Sequence, residues 1–163
     1  MRRQVRAVVV DPTAPGKLAI KPIELRDPDR DEVAVRVTAI SLNRGETRRA
    51  VQQAEPGWRP GWDFVGVIET AAADGSGPKP GTRVVGILPS GAWAERVNCR
   101  THAVAALPDA VGDPEAATLP VAGLTALHAL RQGGCCSGAR CWSTAPRVGS
   151  GISPASLRWQ QAQ

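Results

Sequence analysis

The sequence predicts a mostly β domain, a partly open antiparallel barrel with a few short helices. Two observations favour this class. Short segments with alternating apolar residues recur along the first two thirds of the chain, and turns rich in glycine and proline separate them at intervals of roughly ten residues. A chain of 163 residues is long enough for one domain with a sizeable core, but too short for two ordinary domains.

Six segments have the pattern of a strand. In the clearest of them Val33, Val35 and Val37 share one face, because side chains along a strand alternate with a period of two. Pro15-Gly16 is typical of the turns between them, and a polar loop with a short helix begins at Asn43. The predicted strands cover residues 6–10, 18–25, 32–42, 63–69, 81–87 and 91–97.

A longer helical stretch covers residues 114–132. Asp113 is a candidate N-cap, Pro114 suits a first helical turn, and Glu115 lies at the positive end of the helix dipole. Pro120 and Gly123 are weak helix formers, so we expect the helix to be kinked or split near them. A stripe at spacings of three and four residues comprises Leu119, Gly123, Leu127 and Leu130.

Composition excludes several classes of protein. The chain is 42% hydrophobic and 21% charged, which is typical of a globular protein, and we expect no membrane-spanning helix. Of the net charge of +5, three positive charges come from Arg140, Arg147 and Arg158, and the other arginines are scattered among acids. This pattern does not indicate a nucleic-acid partner. No signal-peptide pattern is found near Met1, so we expect a cytoplasmic protein.

Four motifs occur in an ordered series: PGWDFVG at 60–66, GTRVVG at 81–86, GAWAE at 91–95 and LPVAGLTA at 119–126. Together they resemble the N-terminal GroES-like catalytic domain of the medium-chain dehydrogenase/reductase superfamily, in its zinc-independent quinone oxidoreductase branch. The resemblance covers residues 6–132. It implies that residues 1–132 form the catalytic domain, with a junction helix at 114–132 that leads, in the family, into a Rossmann domain holding NADPH.

The resemblance also implies an activity, the transfer of hydride from NADPH to a small-molecule quinone or enone. Zinc-dependent relatives bind their catalytic metal through a cysteine, a histidine and a third ligand at the junction helix. The matching positions here are Asn43, Trp62 and Ala122. None of these side chains replaces a thiolate or an imidazole on Zn²⁺, so we expect no metal.

Three residues are candidates for the site. Asn43 lies at the family's loop position, where its amide would bind the substrate oxygen as a catalytic group; a helix N-cap is an equally good interpretation. Thr125 matches a junction-helix threonine that lies near the nicotinamide in the family, but it can also hydrogen bond back into its own helix. Trp62 would line the substrate cleft, or fill the space that a metal site leaves.

The sequence changes character after Gly134. The family continues with a strand and a glycine-rich turn, whereas this chain continues with CCSGARCWSTAP, which is not a dinucleotide-binding fingerprint. Residues 133–163 therefore look non-native, and GC-rich back-translation in a displaced frame can restore the family pattern. Our hypothesis is that the Rossmann domain is missing because of a frameshift or truncation, which the nucleotide sequence across codon 134 would decide.

Two functions remain open for such a chain. The first is a catalytic domain that is inactive in isolation and self-associates through the uncovered junction helix. The alternative is a small non-catalytic binding or regulatory module built on the same barrel.

The composition of residues 133–163 leads to a direct prediction. Serine, proline, glycine and glutamine dominate them, and their few large apolar residues cannot build a core, so we expect disorder. Limited proteolysis with trypsin, followed by mass spectrometry, should trim the chain to near Gly134. Strong protection of Arg140 and Arg147 would contradict the prediction.

Overall fold

The computed structural model of the chain describes residues 3–132, and the predictions for residues 133–163 lie outside the described part. In chain order the elements are β1 (Arg3–Val10), β2 (Leu18–Leu25), β3 (Glu32–Ile40), α1 (Arg44–Gln52), β4 (Asp63–Thr70), β5 (Arg83–Ile87), β6 (Arg96–Arg100), β7 (Val104–Ala106), α2 (Asp113–Ala117) and α3 (Leu124–Gln132). Short 3₁₀ turns precede β2 and β7, and a π-helical turn, Leu119–Gly123, lies between α2 and α3.

All the strand pairs of the described residues are antiparallel. Five strands form one sheet in the order β6-β3-β4-β5-β7, and β1 and β2 form a separate hairpin sheet. The hairpin is joined to the segment before β6, where the Val8 N–H donates to the Trp93 carbonyl at 2.8 Å and the Glu95 N–H donates to the Arg6 carbonyl at 3.0 Å. The sheets therefore curl into the partly open antiparallel barrel that the sequence predicts.

Strand β4 lies at the centre of this arrangement and is buried on both faces. Phe64, the single phenylalanine of the sequence, is fully buried in the larger core cluster. The next residue, Val65, points to the opposite face, where it packs against Ala116 and Ala117 of α2. The larger cluster comprises Val33, Val35, Phe64, Ile68, Ala72, Val84, Ala92, Val97 and Cys99.

One predicted strand is displaced. The sequence predicts a strand at residues 91–97, but the structure has an irregular segment there and places β6 at Arg96–Arg100. Gly91 has a φ of 90°, and the N–H groups of Ala92 and Trp93 donate to the carbonyls of Gly61 and Pro60 at 3.1 and 3.2 Å. These contacts to a loop replace the regular ladder that a strand would need.

The helical stretch is divided as the sequence predicts. A π-helical turn contains both Pro120 and Gly123 and separates α2 from α3. The predicted N-cap at Asp113 is wrong, because Gly112 occupies the cap and Asp113 is already helical. The Asp113 carboxylate instead accepts from the Thr38 hydroxyl at 2.5 Å and pairs with Arg83, and these two contacts lower its pKa.

Gly66 of β4 predicts a clear mutational effect. A Cβ at this position would lie 2.3 Å from the backbone carbonyl oxygen of Arg36 in β3, and neither strand can yield without loss of pairing. Gly66→Ala should therefore lower the free energy of unfolding by about 1–3 kcal/mol, as overpacking of a core does.

Urea denaturation checks the effect, with Gly123→Ala as the control, because its Cβ would meet no atom nearer than the end of the Leu119 side chain at 3.4 Å. Equal losses in the two variants would contradict the packing argument.

Candidate functional site

Asn43 connects the end of β3 to the start of α1. Its backbone is extended and it occupies the N-cap of α1, a position that asparagine favours. Three residues later, the Oε1 atom of Glu46 accepts a hydrogen bond from the Asn43 backbone N–H at 2.8 Å. The spacing of a cap residue and an acid at the third helical position is the signature of a capping box, and it explains why the helix begins at this point.

The Asn43 side chain faces two carboxylates. Its Nδ2 atom donates to Oε1 of Glu46 and to Oδ2 of Asp63, both at 2.9 Å. An amide nitrogen carries two hydrogens, so both are used in these contacts. Asn43 can donate to a substrate oxygen only after it gives up one of them.

Glu46 and Asp63 are both completely buried. Burial raises the pKa of each carboxyl group, and the hydrogen bonds from Asn43 act in the opposite direction. Within residues 3–132, Oε2 of Glu46 and Oδ1 of Asp63 have no hydrogen-bond partner of good geometry. The sequence contains a signal for each acid, the capping-box spacing for Glu46 and the PGWDFVG motif for Asp63, but neither signal by itself indicates a site residue.

Trp62 lies beside the same helix terminus. A Cβ on Gly45 would come within 2.8 Å of the end of the Trp62 ring, so the half-buried indole rests on the first turn of α1. The turn before it is equally tight, because Gly61 has a φ of 111° and a Cβ there would lie 2.3 Å from the backbone nitrogen of Trp93. Asn43 and Trp62 therefore lie side by side at the N-terminus of α1, and together they form a surface that we call the Asn43–Trp62 wall.

The junction segment approaches this wall through its π-helical turn. The backbone N–H of Val121 and the hydroxyl of Ser41 oppose the rise in the pKa of Asp63. Thr125 lies about one helical turn beyond Val121. It occupies the first turn of α3 and is exposed, as is Ala122.

Metal-ligating side chains are not assembled in the described part of the chain. No three histidine, cysteine, aspartate or glutamate side chains of residues 3–132 group as a metal site would require. Cys99 is buried and free, and burial raises the pKa of its thiol to about 12.

None of the helices in residues 3–132 is long and apolar enough to cross a membrane.

The hydrogen bonds of Asn43 lead to a stability prediction. Asn43→Ala would remove the cap and leave two buried carboxylates without their shared donor, so we expect a loss of about 2–4 kcal/mol in the free energy of unfolding. Asn43→Asp should cost more, since it adds a third carboxylate. Thr13→Ala, which removes an exposed hydroxyl that bonds to Asp11, is the control and should change stability by no more than about 0.5 kcal/mol in urea denaturation. A similarly small loss in Asn43→Ala would contradict the importance of this contact.

Comparisons of the sequence with known proteins identify a family and similar proteins. Residues 29–109 match the family described as the alcohol dehydrogenase GroES-like domain. The mycocerosic acid synthase-like polyketide synthase of Mycobacterium tuberculosis is 34% identical over 108 residues, which cover 64% of this chain and 5% of that protein.

Two solved structures contain a domain with the same fold as the described residues. The quinone oxidoreductase of Thermus thermophilus, also solved in complex with NADPH, superposes with a TM-score of 0.65 at 29% identity, over 80% of this chain and 41% of that chain. The CurK enoyl reductase superposes with a TM-score of 0.71 at 22% identity, over 80% of this chain and 43% of that chain.

This chain thus spans only a small part of the curated relative and less than half of each solved chain. The matched segment holds β3 to β7 and both Asn43 and Trp62. The chain belongs to the GroES-like alcohol dehydrogenase family, and its described residues have the fold of the N-terminal domain of medium-chain dehydrogenase/reductase oxidoreductases.

Proposed function

We propose that residues 1–132 are the catalytic domain of an NADPH-dependent, zinc-independent oxidoreductase that transfers hydride to a quinone or an enone. The observation that carries the proposal is the wall formed by Asn43 and Trp62. At the positions where zinc-dependent relatives bind metal, this wall presents an amide and an indole, which favour binding of a planar, neutral substrate over coordination of a cation.

Two relatives support the choice of substrate class. The Thermus thermophilus protein is a quinone oxidoreductase with an NADPH complex, and CurK is an enoyl reductase. Quinones and conjugated enoyl compounds are both planar electrophiles that accept hydride at one end of a conjugated system. The two names are therefore consistent with a single type of reaction.

NADPH supplies the hydride when it is bound. The part of this chain would be to hold the acceptor against that hydride and to exclude water from the reacting atoms. The Trp62 indole would cover one face of the acceptor. Asn43 would orient its oxygen once a hydrogen bond to a buried carboxylate is exchanged for one to the substrate, and Thr125 would contact the nicotinamide carboxamide.

On this proposal the described residues would contact only the nicotinamide end of the cofactor. Dinucleotide affinity comes largely from a glycine-rich turn and a helix N-terminus that bind the pyrophosphate. Residues 3–132 contain antiparallel strand pairs and lack the βαβ unit that supplies such a turn. We propose that the chain by itself has little or no activity.

The cofactor argument predicts weak binding by the isolated chain. One or two neutral hydrogen bonds contribute about 1 kcal/mol each, whereas association costs several kcal/mol, so the dissociation constant for NADPH should be millimolar or weaker. Isothermal titration calorimetry measures this directly. A micromolar constant, or quinone reduction by the chain alone, would contradict the proposal.

The activity itself is tested by supplying a cofactor domain. Residues 1–132 joined to the cofactor domain of the Thermus thermophilus enzyme should oxidise NADPH in the presence of 1,4-benzoquinone or a conjugated enone. A zinc chelator should not change the rate, and Trp62→Ala should raise KM for the acceptor. A folded fusion that binds NADPH but reduces neither acceptor would instead favour a non-catalytic module.

We also propose that the chain self-associates through the junction segment. Leu119, Leu124 and Leu127 are 47%, 50% and 38% exposed, and solvent-exposed apolar surface of this kind favours association. Leu124→Gln should weaken association in sedimentation equilibrium. Ile20→Gln, which alters an isoleucine of β2 that is 71% exposed, should leave it unchanged. Equal effects of the two substitutions on association would contradict a specific role for this face.

The cytoplasmic location of the protein stays a prediction.

A further inference from the structure

Glu46 and Asp63 form a pair that the proposed reaction does not use. Both carboxylates are completely buried, and both accept from the same nitrogen, Nδ2 of Asn43, at 2.9 Å. The two accepting oxygens therefore lie within about 6 Å of each other, a distance at which two charges interact strongly in a protein interior.

No cation balances this pair within residues 3–132. The ion pairs found there join other acids to arginine or lysine, and the arginines of α1 are exposed. The charged group that acts on Glu46 is Asp63 itself, and it raises the Glu46 pKa further. The remaining groups that face the pair are neutral: the Trp62 and Val121 N–H groups and the Ser41 hydroxyl.

Two buried negative charges without a cation are very unfavourable, and such pairs retain one proton between them. Oε2 of Glu46 and Oδ1 of Asp63, which have no hydrogen-bond partner of good geometry in the described part of the chain, are the atoms where a retained proton can reside. The oxygens that face Asn43 stay acceptors, whichever acid holds the proton.

We propose that Glu46 and Asp63 share one proton at neutral pH and act as a single positioning unit, whose one negative charge fixes the orientation of the Asn43 amide. The unit sets Nδ2 towards the interior, because the opposite orientation would place the amide oxygen against a carboxylate. Glu46 and Asp63 are positioning residues in this scheme. They act on a ligand only through Asn43.

The test is a pH titration of the full chain by NMR, which requires neither cofactor nor activity. The side-chain carboxyl ¹³C shifts of Glu46 and Asp63 should each show two steps, with the upper step above neutral pH and thus far outside the ordinary carboxyl range of about 4. The Asn43 side-chain N–H signals should move at that upper midpoint. A merely structural pair of ionised acids would give neither result.

Variants separate the contributions. Glu46→Gln should convert the Asp63 titration to one step, because the charged neighbour is removed. The midpoint of that step should lie below the upper midpoint of the wild-type protein. Glu95→Gln, which alters an exposed acid paired with Arg6, should leave the Asp63 curve unchanged. If Glu46→Gln does not fold, the wild-type titration decides alone. An upper step that is complete below neutral pH, or Asn43 signals that do not respond at the upper step, would overturn the proposal.

Discussion

The contact between the Asn43 amide and the two buried carboxyl groups of Glu46 and Asp63 is the constraint on which the site depends. It joins the start of α1 to the start of β4, two elements separated by a loop in sequence. A buried carboxylate without a hydrogen-bond donor raises the free energy of the folded state. The hydrogen bond therefore fixes both partners: it keeps Asp63 in position, and it keeps the loop and the start of α1 against β4. The same contact limits chemistry, since a donor that already serves two acceptors is not free for a third.

Strand β4 transmits this constraint to the rest of the domain. Its first three residues have three different roles: Asp63 binds Asn43, Phe64 fills the larger core, and Val65 packs on α2. Because successive side chains of a strand point to opposite faces, a shift of one residue in β4 would exchange these roles. The close approach of Gly66 to β3 helps to prevent such a shift.

Much of the fold could be predicted from the sequence because its signals are local. The alternating valines locate β3, and Pro15-Gly16 locates the turn before β2. Pro120 with Gly123 locates the division of the helix. The displaced strand could not be predicted, since Ala92 and Trp93 bond to a loop distant in sequence. Among site residues, Asn43 and Trp62 were identified as candidates, but their buried acidic neighbours were not. A sequence alone does not show that a carboxylate lacks a counter-ion.

The π-helical turn has a geometric consequence for the surface beyond it. A π turn accommodates an extra residue relative to an α-helical turn, and each residue advances a helix by about 100°. The apolar face of α3 is thereby set out of phase with the buried face of α2, where Ala116 and Ala117 pack on the sheet. Substitutions of the leucines on α3 can therefore adapt this surface to a binding partner without disturbing the core. A one-residue deletion within Leu119–Gly123 would instead bring the two faces into phase and rotate the apolar face of α3 away from its present direction.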